Sequence, residues 1–369
     1  GRTEDRTEHA EGARMAEAWI RGKSAPLDDA IAEAANIVAG SRQPVIAGLG
    51  TDVAGARAAI KLARLVGGVV DHMHSDALLR DLDVMREAGM MVTMPTEAHV
   101  RADFLLLVGP GLIEAWPALP ERLFAKRRIV WLCPDAAAIS ASTYKNVAVV
   151  GDNPAELPAI VALVRARCAG RPVANAPIAL ATIDAFVAEL KRVRFGVAVW
   201  SAARHDSLTI EMLCGLVNDL NAATRFSGLP LASADNAAAV QQVAGWMTGY
   251  PLRTGFGRGV PEHDPWRFEA SRLVDSGEAD CAVWISAYGA RPPAWKRDLP
   301  LVALTGDPNT IRSHVTITVG RPGLDHDAVE HLATTGTLAT VSARQPEAAA
   351  SVASVLDKII TKLSAAHPC

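Results

Sequence analysis

Apolar residues fall along this chain in short continuous blocks, each followed by a stretch with helical spacing, and the alternation repeats. Leu27 to Gly40 predicts a helix, with Asp28 placed to cap it and Gly40 to end it. Gln43-Pro44 opens a short strand, Val45 to Ala47, that runs into Gly48-Leu49-Gly50. Thr51 or Asp52 can cap the next helix, Val53 to Val66, which Gly67-Gly68 closes. Val69-Val70 reads as a strand, Ala77 to Glu87 as a helix and Met90 to Thr93 as a strand. Phe104 to Val108 and Ile129 to Leu132 are unbroken apolar runs, as parallel strands buried on both faces require.

The rhythm restarts after a break. Pro154 to Arg167 is helical, and Gly170-Arg171-Pro172 with Asn175 to Pro177 reads as a connection. Helices follow at Ile178 to Lys191 and Ser207 to Leu220, with strands at Phe195 to Trp200 and near Thr224 to Phe226. A Gly- and Pro-rich stretch, Gly245 to Pro265, precedes a helix at Trp266 to Val274 and strands at Asp280 to Ile285 and Leu301 to Leu304. Val315 to Val319, Thr337 to Val341 and a helix over Pro346 to Leu363 complete the pattern. Alternating strands and helices predict α/β architecture with mostly parallel sheets covered on both faces. The expected division is a charged tail and lead-in over 1–26, a first α/β domain over 27–170 and a second over 171–320. A C-terminal segment, 321–369, is placed to return to the first domain.

Composition narrows the function classes. Half of the 369 residues are hydrophobic and the mean hydropathy is +0.15. Much of that excess is alanine at Ala30 to Ala39 and Ala54 to Ala63, where small side chains allow close approach to a sheet or a partner. The formal net charge of −3 and scattered Lys and Arg offer no basic field for nucleic acid. No apolar run nears the roughly 18 residues of a membrane span. Arg2, Glu4, Asp5 and Arg6 are unlike a secretory leader, so a cytoplasmic protein is expected, with Met15 as a conceivable start. Five cysteines at 133, 168, 214, 281 and 369, without a Cys-x-x-Cys, match neither a zinc ribbon, a four-cysteine cluster nor a disulfide framework.

The candidate chemistry is thin. Gly48, Gly50 and Gly55 sit between a strand and a helix start, where free amides can hold a phosphate. The spacing is not the dinucleotide fingerprint, and tight-turn glycines alone account for it. His72, His74 and Asp76 would share one face of an extended chain and could form a metal triad; a helix beginning there makes them strand-end and capping residues instead. Asp325, His326 and Asp327, with His314 and His331 nearby, could serve a metal hydrolase, but the Arg321-Pro322-Gly323 turn suggests a loop that holds its own amides. His205-Asp206-Ser207 reads as a helix cap, and no Gly-x-Ser-x-Gly elbow supports a serine triad.

Three segments carry a resemblance. They are Pro44 to Gly48 with Val66-Gly67-Gly68-Val69-Val70-Asp71; Trp246 to Pro251 with Phe256 to Pro261 and Ser276 to Asp280; and Val319 to Asp327. In this order they resemble the B subunit of formylmethanofuran dehydrogenase, over roughly Leu27 to Val341. The resemblance implies two Rossmann-like units like the central domains of molybdopterin-dependent formate dehydrogenases. The redox-active family has an N-terminal cysteine cluster, whereas no cysteine precedes Cys133 here. It also has a Cys or selenocysteine metal ligand in the loop that here reads His72-Met73-His74-Ser75-Asp76-Ala77-Leu78. A C-terminal pterin module is not expected before Cys369.

This reduced pattern resembles the B subunit of the bacterial formyltransferase/hydrolase complex. The resemblance implies a non-catalytic structural subunit in one-carbon metabolism, with no catalytic, cofactor-binding or metal-ligating residue and no cofactor. Its expected partners are a hydrolase subunit, a formyltransferase subunit and a third scaffold subunit, with no nucleic acid or membrane. The complex would convert formyl-tetrahydromethanopterin to formate through a formyl-methanofuran-type intermediate. The alternatives are a redox-active tungsten or molybdenum subunit, or a free-standing phosphate- or nucleotide-binding enzyme using Gly48 to Gly55.

Overall fold

The computed structural model of the chain describes residues 18–135, 146–289, 291–347 and 349–366. Residues 1–17, with most of the expected tail and Met15, and Cys369 lie outside the described residues. Along the chain the first strands are β1 (Ala18–Ile20), β2 (Lys23–Ala25), β3 (Pro44–Gly50) and β4 (Val69–Val70). Next come β5 (Phe104–Val108), β6 (Arg128–Leu132), β7 (Val147–Val150), β8 (Gly196–Trp200) and β9 (Phe226–Pro230). Then follow β10 (Thr254–Gly255), β11 (Glu262–His263), β12 (Cys281–Ser286), β13 (Leu301–Thr305) and β14 (Val315–Thr318). A hairpin of β15 (Ala328–Leu332) and β16 (Thr337–Val341) completes the described strands.

The first unit comprises described residues 18–73, 235–330 and 340–366. Its sheet has the order β11-β10-β4-β3-β12-β13-β14-β1-β2. β4, β3, β12, β13 and β14 are parallel, and the short outer strands run antiparallel. β3 and β12 are buried at every position, which fits their unbroken apolar sequence. The helix Val352–Ala366 packs on the helices Leu27–Ala39 and Val53–Val66. Buried Ala30, Ala34, Ala56, Ala59 and Ala63 let these cylinders approach closely, while Ile31 and Ile60 supply bulk. Burying each isoleucine stabilises the fold by about 1.5–3 kcal/mol. The alanine excess is therefore used, at least in part, inside this unit.

The second unit comprises residues 74–234 and 331–339. Its parallel sheet has the order β7-β6-β5-β8-β9. Alternate residues of each strand feed opposite layers. Leu106, Val108, Val130, Leu132 and Trp200 face one core, with the helices Leu157–Cys168 and Ser207–Leu220. Leu105, Leu107, Ile129, Trp131, Val197 and Val199 face the other.

The division differs from 27–170 and 171–320. β3 pairs with β12, more than two hundred residues later, so both ends of the chain build one sheet and the middle forms the other unit. The connection at Gly170-Arg171-Pro172 joins two helices of the same unit, Leu157–Cys168 and Leu180–Leu190, which pack together. A Gly-Pro break marks a loop; which strands pair is a long-range matter that it does not report.

Several elements also differ. The lead-in to residue 26 contains β1 and β2, and Pro26, not Asp28, holds the N-cap position; Asp28 lies in the first helical turn. Met90 to Thr93 forms no strand: Val92 makes a single bridge to Gly228. The expected strand near Thr224 begins at Phe226. A helix at Ala237–Thr248 occupies a stretch where no element was expected, because its Ala-Ala-Ala-Val run carries too little apolar contrast to show a face. The helix expected over Trp266 to Val274 is only Ala270–Asp275, and the last helix starts at Val352 rather than Pro346. Among the described residues no helix is long and apolar enough to cross a membrane.

Candidate functional site

In the first unit the strand order reverses between β3 and β12: β4 lies on one side and β13 and β14 on the other. The crevice beyond the C-terminal ends of such strands is where open parallel sheets take ligands. Here Gly50, the last residue of β3, lies opposite Ser286, the last of β12, past an irregularity between Trp284 and Ser286. Gly48 has φ 79°, and a Cβ on it would stand 2.6 Å from the Ile285 carbonyl oxygen. A Cβ on Gly55 would stand 2.0 Å from Thr51 Oγ1. Sheet and helix crowding thus explain these glycines. The helix start is also taken: the Gly55 amide donates to Asp52 Oδ1 at 2.9 Å, and Asp52 is buried. A phosphate there would meet a carboxylate already holding the amide.

The crevice itself is filled by the chain. Asp235 and Asn236 have φ of 56° and 59°, consecutive left-handed residues of the type that tolerates this conformation. Asn236 Nδ2 donates to the Thr51 carbonyl at 2.9 Å. His72 Nε2 lies 3.2 Å from the Asp235 carbonyl, so that nitrogen carries the proton and donates. Arg291 Nε pairs with Asp235 Oδ2 at 3.4 Å. The Met73 methyl and Asp235 Cβ lie 3.3 and 3.5 Å from where a Gly50 Cβ would stand. Beside them the Tyr288 hydroxyl donates to Glu330 Oε1 at 2.6 Å. Burial pushes the Glu330 carboxyl up; the Tyr288 hydrogen bond opposes this, and the Asp52 charge adds to it. Burial likewise raises the Tyr288 phenol, with the Glu330 charge acting in the same direction.

His72, His74 and Asp76 do not form one triad. The chain turns into the helix Ser75–Ala88, leaving His72 buried, His74 half-buried at the N-cap position and Asp76 exposed in the first turn. The neighbouring Asp71 accepts from the Ala270 amide at 2.9 Å and faces Arg253 Nε at 3.6 Å, tying the end of β4 to the start of the helix Ala270–Asp275 and to the residue before β10. Among the described residues no group of three His, Cys, Asp or Glu is disposed to hold a metal.

The other expected clusters hold backbone. Asp325 Oδ2 accepts from the Arg321 amide at 2.6 Å, and Asp327 Oδ1 from the Ala343 amide at 2.8 Å. His326 Nδ1 lies 2.9 Å from the Asp327 carbonyl. His314 Nδ1 accepts from the Leu301 amide at 3.3 Å, and burial lowers the His331 imidazole. In the second unit His205 Nε2 contacts the Val108 carbonyl at 3.3 Å, and Asp206 caps its helix through the Thr209 amide at 2.7 Å. Sequence reasoning missed Asp235, Asn236, Tyr288, Arg291 and Glu330. The Asp-Asn pair was the readable signal, since it marks a left-handed turn.

Across 320 residues the chain is 34% identical to the Fhc B subunit of the formyltransferase/hydrolase complex of Methylorubrum extorquens, over 83% of this chain and 85% of that protein. This chain belongs to the Fhc B-subunit family. A solved structure of the FhcABCD complex from Methylorubrum extorquens with methylofuran contains a chain that matches with a TM-score of 0.84 and 31% identity. That match covers 95% of this chain and 99% of the other. The B subunit of the tungsten-containing formylmethanofuran dehydrogenase 2 of Methanocaldococcus jannaschii is 28% identical over 308 residues, 76% of this chain and 70% of that protein. No family model matches the chain.

The dehydrogenase relatives imply tungsten, and the donors present here do not suit it. Such a centre needs soft thiolate ligands. Beside Gly50 the crevice offers the Met73 thioether, whose methyl packs toward it. Cys133 and Cys214 lie in a core layer of the second unit, and Cys281 starts β12 at the opposite end of the sheet. Burial pushes all three thiols up to about 11, far from the thiolate a metal requires. The carboxylates and imidazole at the crevice are hard or borderline donors already engaged, Asp52 and His72 with main chain, Asp235 with Arg291 and Glu330 with Tyr288.

Proposed function

We propose that this Fhc B-subunit family member is a cytoplasmic structural subunit of a formyltransferase/hydrolase complex and carries no catalytic residue of its own. The complex moves a formyl group from tetrahydromethanopterin to a methanofuran-type carrier and hydrolyses it to formate, with transfer and hydrolysis on other subunits. One observation carries this reading: the ligand crevice of the first unit is closed by the Asp235-Asn236 turn, which His72 and Thr51 hold in place. A site whose polar groups already satisfy one another has no donor poised to stabilise a transition state.

Assembly requires anchors, and a segment bearing the family resemblance supplies one. Trp246 is 64% exposed, and nearby in sequence Trp266 is 69% exposed, with the Arg272 guanidinium 4.5 Å from its ring centre. Large aromatics left in water are the side chains that protein interfaces use most. In this reading a different component of the complex covers them.

The test is reconstitution with and without the chain. The chain alone is expected to release no formate from a formyl donor, and omitting it is expected to reduce recovery of the assembled complex. Normal assembly and turnover without it, or formate release by the isolated chain, overturns the reading.

A further inference from the structure

At the opposite end of the first unit's sheet, where β13 and β14 begin, lies a cavity of about 1150 Å³. It is remote along the strands from the closed crevice. Its walls carry the cations Arg21, Lys296, Arg297 and Arg312, and the indoles of Trp19 and Trp295. Among the described residues none of these four cationic side chains has an ion pair or hydrogen bond. By contrast Arg128, Arg167 and Arg272 each meet a carboxylate, Glu189, Asp184 and Glu278 respectively. Among the described residues the only carboxylate in the wall is Asp298; Asp275, nearby in the chain fold, accepts from the Lys296 and Arg297 amides.

The fold concentrates these charges. Arg21 sits at the tip of the β1–β2 turn with φ 50°, and its amide donates to the His314 carbonyl at 2.7 Å. Trp19 lies in β1 opposite Thr316 of β14, and both residues line the cavity. The Arg297 guanidinium lies over Gly277, in the space a Cβ would fill. Trp295 is fixed edge-on against Trp284, with ring centres 5.2 Å apart. Four like charges around one hollow repel each other, and a bound anion with several charges relieves that cost. Guanidinium forks match carboxylate and phosphate oxygens two at a time, while the indole faces accept an apolar or planar body.

We infer that this cavity is a binding site for a multivalent oxyanion, a ligand with at least two carboxylate or phosphate groups. The site is independent of the crevice and of any catalytic step. It rests on the side-chain arrangement alone.

The experiment is calorimetric titration of citrate and of tripolyphosphate into the purified complex containing the full chain, at low ionic strength. Saturable binding of one chain equivalent of at least one probe is expected. Tighter citrate identifies a carboxylate ligand, and tighter tripolyphosphate a phosphate ligand. Arg21→Glu/Arg312→Glu changes two exposed side chains and is expected to weaken binding about tenfold or more, with the circular dichroism spectrum and complex recovery unchanged. A second variant, Arg57→Glu/Arg64→Glu, on the helix Val53–Val66 outside the cavity wall, is expected to bind as the wild type does. Absence of saturable binding, or equal losses in both double variants, overturns the inference. So does binding by the isolated chain that disappears in the complex, since the cavity is then a subunit interface.

Discussion

The ring of His72 holds the carbonyl of Asp235, 163 positions away in the sequence, through one hydrogen bond of 3.2 Å. That bond fixes a left-handed turn across the strand ends where related architectures admit ligands. A histidine that reads as a metal ligand thereby becomes a clamp on main chain.

His72→Ala is expected to destabilise the first unit by about 0.5–1.5 kcal/mol, the net contribution of one part-buried hydrogen bond. Asp76→Ala, at an exposed first-turn position, is expected to cost about 0.3–1 kcal/mol through the lost helix-end charge. Chemical denaturation measures both. Formate production by complexes containing either variant is expected to remain within about threefold of wild type; a hundredfold fall with assembly intact, about 2.7 kcal/mol of transition-state stabilisation, would return this loop to the chemistry.

Asp81 gives the second unit a pH dependence. Trp200 Nε1 donates to its carboxylate at 3.0 Å, yet burial outweighs that bond and pushes the carboxyl up to about 6 from 3.8. A raised carboxyl favours folding while protonated, so its contribution is full below about pH 4 and lost as pH rises through about 6. Asp81→Asn keeps an acceptor for Trp200 and removes the charge. It is expected to be more stable than wild type at pH 7.5 by about 1–2 kcal/mol, after allowance for partial solvation, and equal to it near pH 4. Melting curves across that range decide the matter, and a gap independent of pH would contradict the assignment.

Trp246→Ala and Trp266→Ala should leave the fold intact, because both side chains stand largely in water. If they anchor a partner chain, at least one should weaken complex formation about thirtyfold, the effect of losing a 2 kcal/mol hot spot. Association measured by mass photometry over a dilution series provides the readout, and unchanged association in the double variant removes this surface from the interface.

Elemental analysis of the purified chain addresses its donor chemistry. Tungsten and molybdenum are expected well below one atom per chain, because the thiols of Cys133, Cys214 and Cys281 are buried away from the crevice. A stoichiometric metal would require ligands other than the described residues provide.

The local order was legible from residues alone. The unbroken runs at Phe104 to Val108 and Ile129 to Leu132 specify buried parallel strands because every side chain there gains by leaving water. Asp52 and Asp206 announced their helix starts because a carboxylate two or three residues before a free amide is a local arrangement. The family was also legible, through Trp246 to Pro251 and Val319 to Asp327, segments that no periodicity demands. Tertiary structure decided the rest. The pairing of β3 with β12, and with it the division of the chain, depends on contacts between distant segments that leave no trace in a local pattern. The helix Ala237–Thr248 is held by packing against Val53–Val66 rather than by a visible apolar stripe. The fate of His72 was settled the same way. Its neighbours in sequence offered a helix start and an exposed acid, whereas the group it binds arrives from Asp235, and only the folded chain brings the two within hydrogen-bond reach.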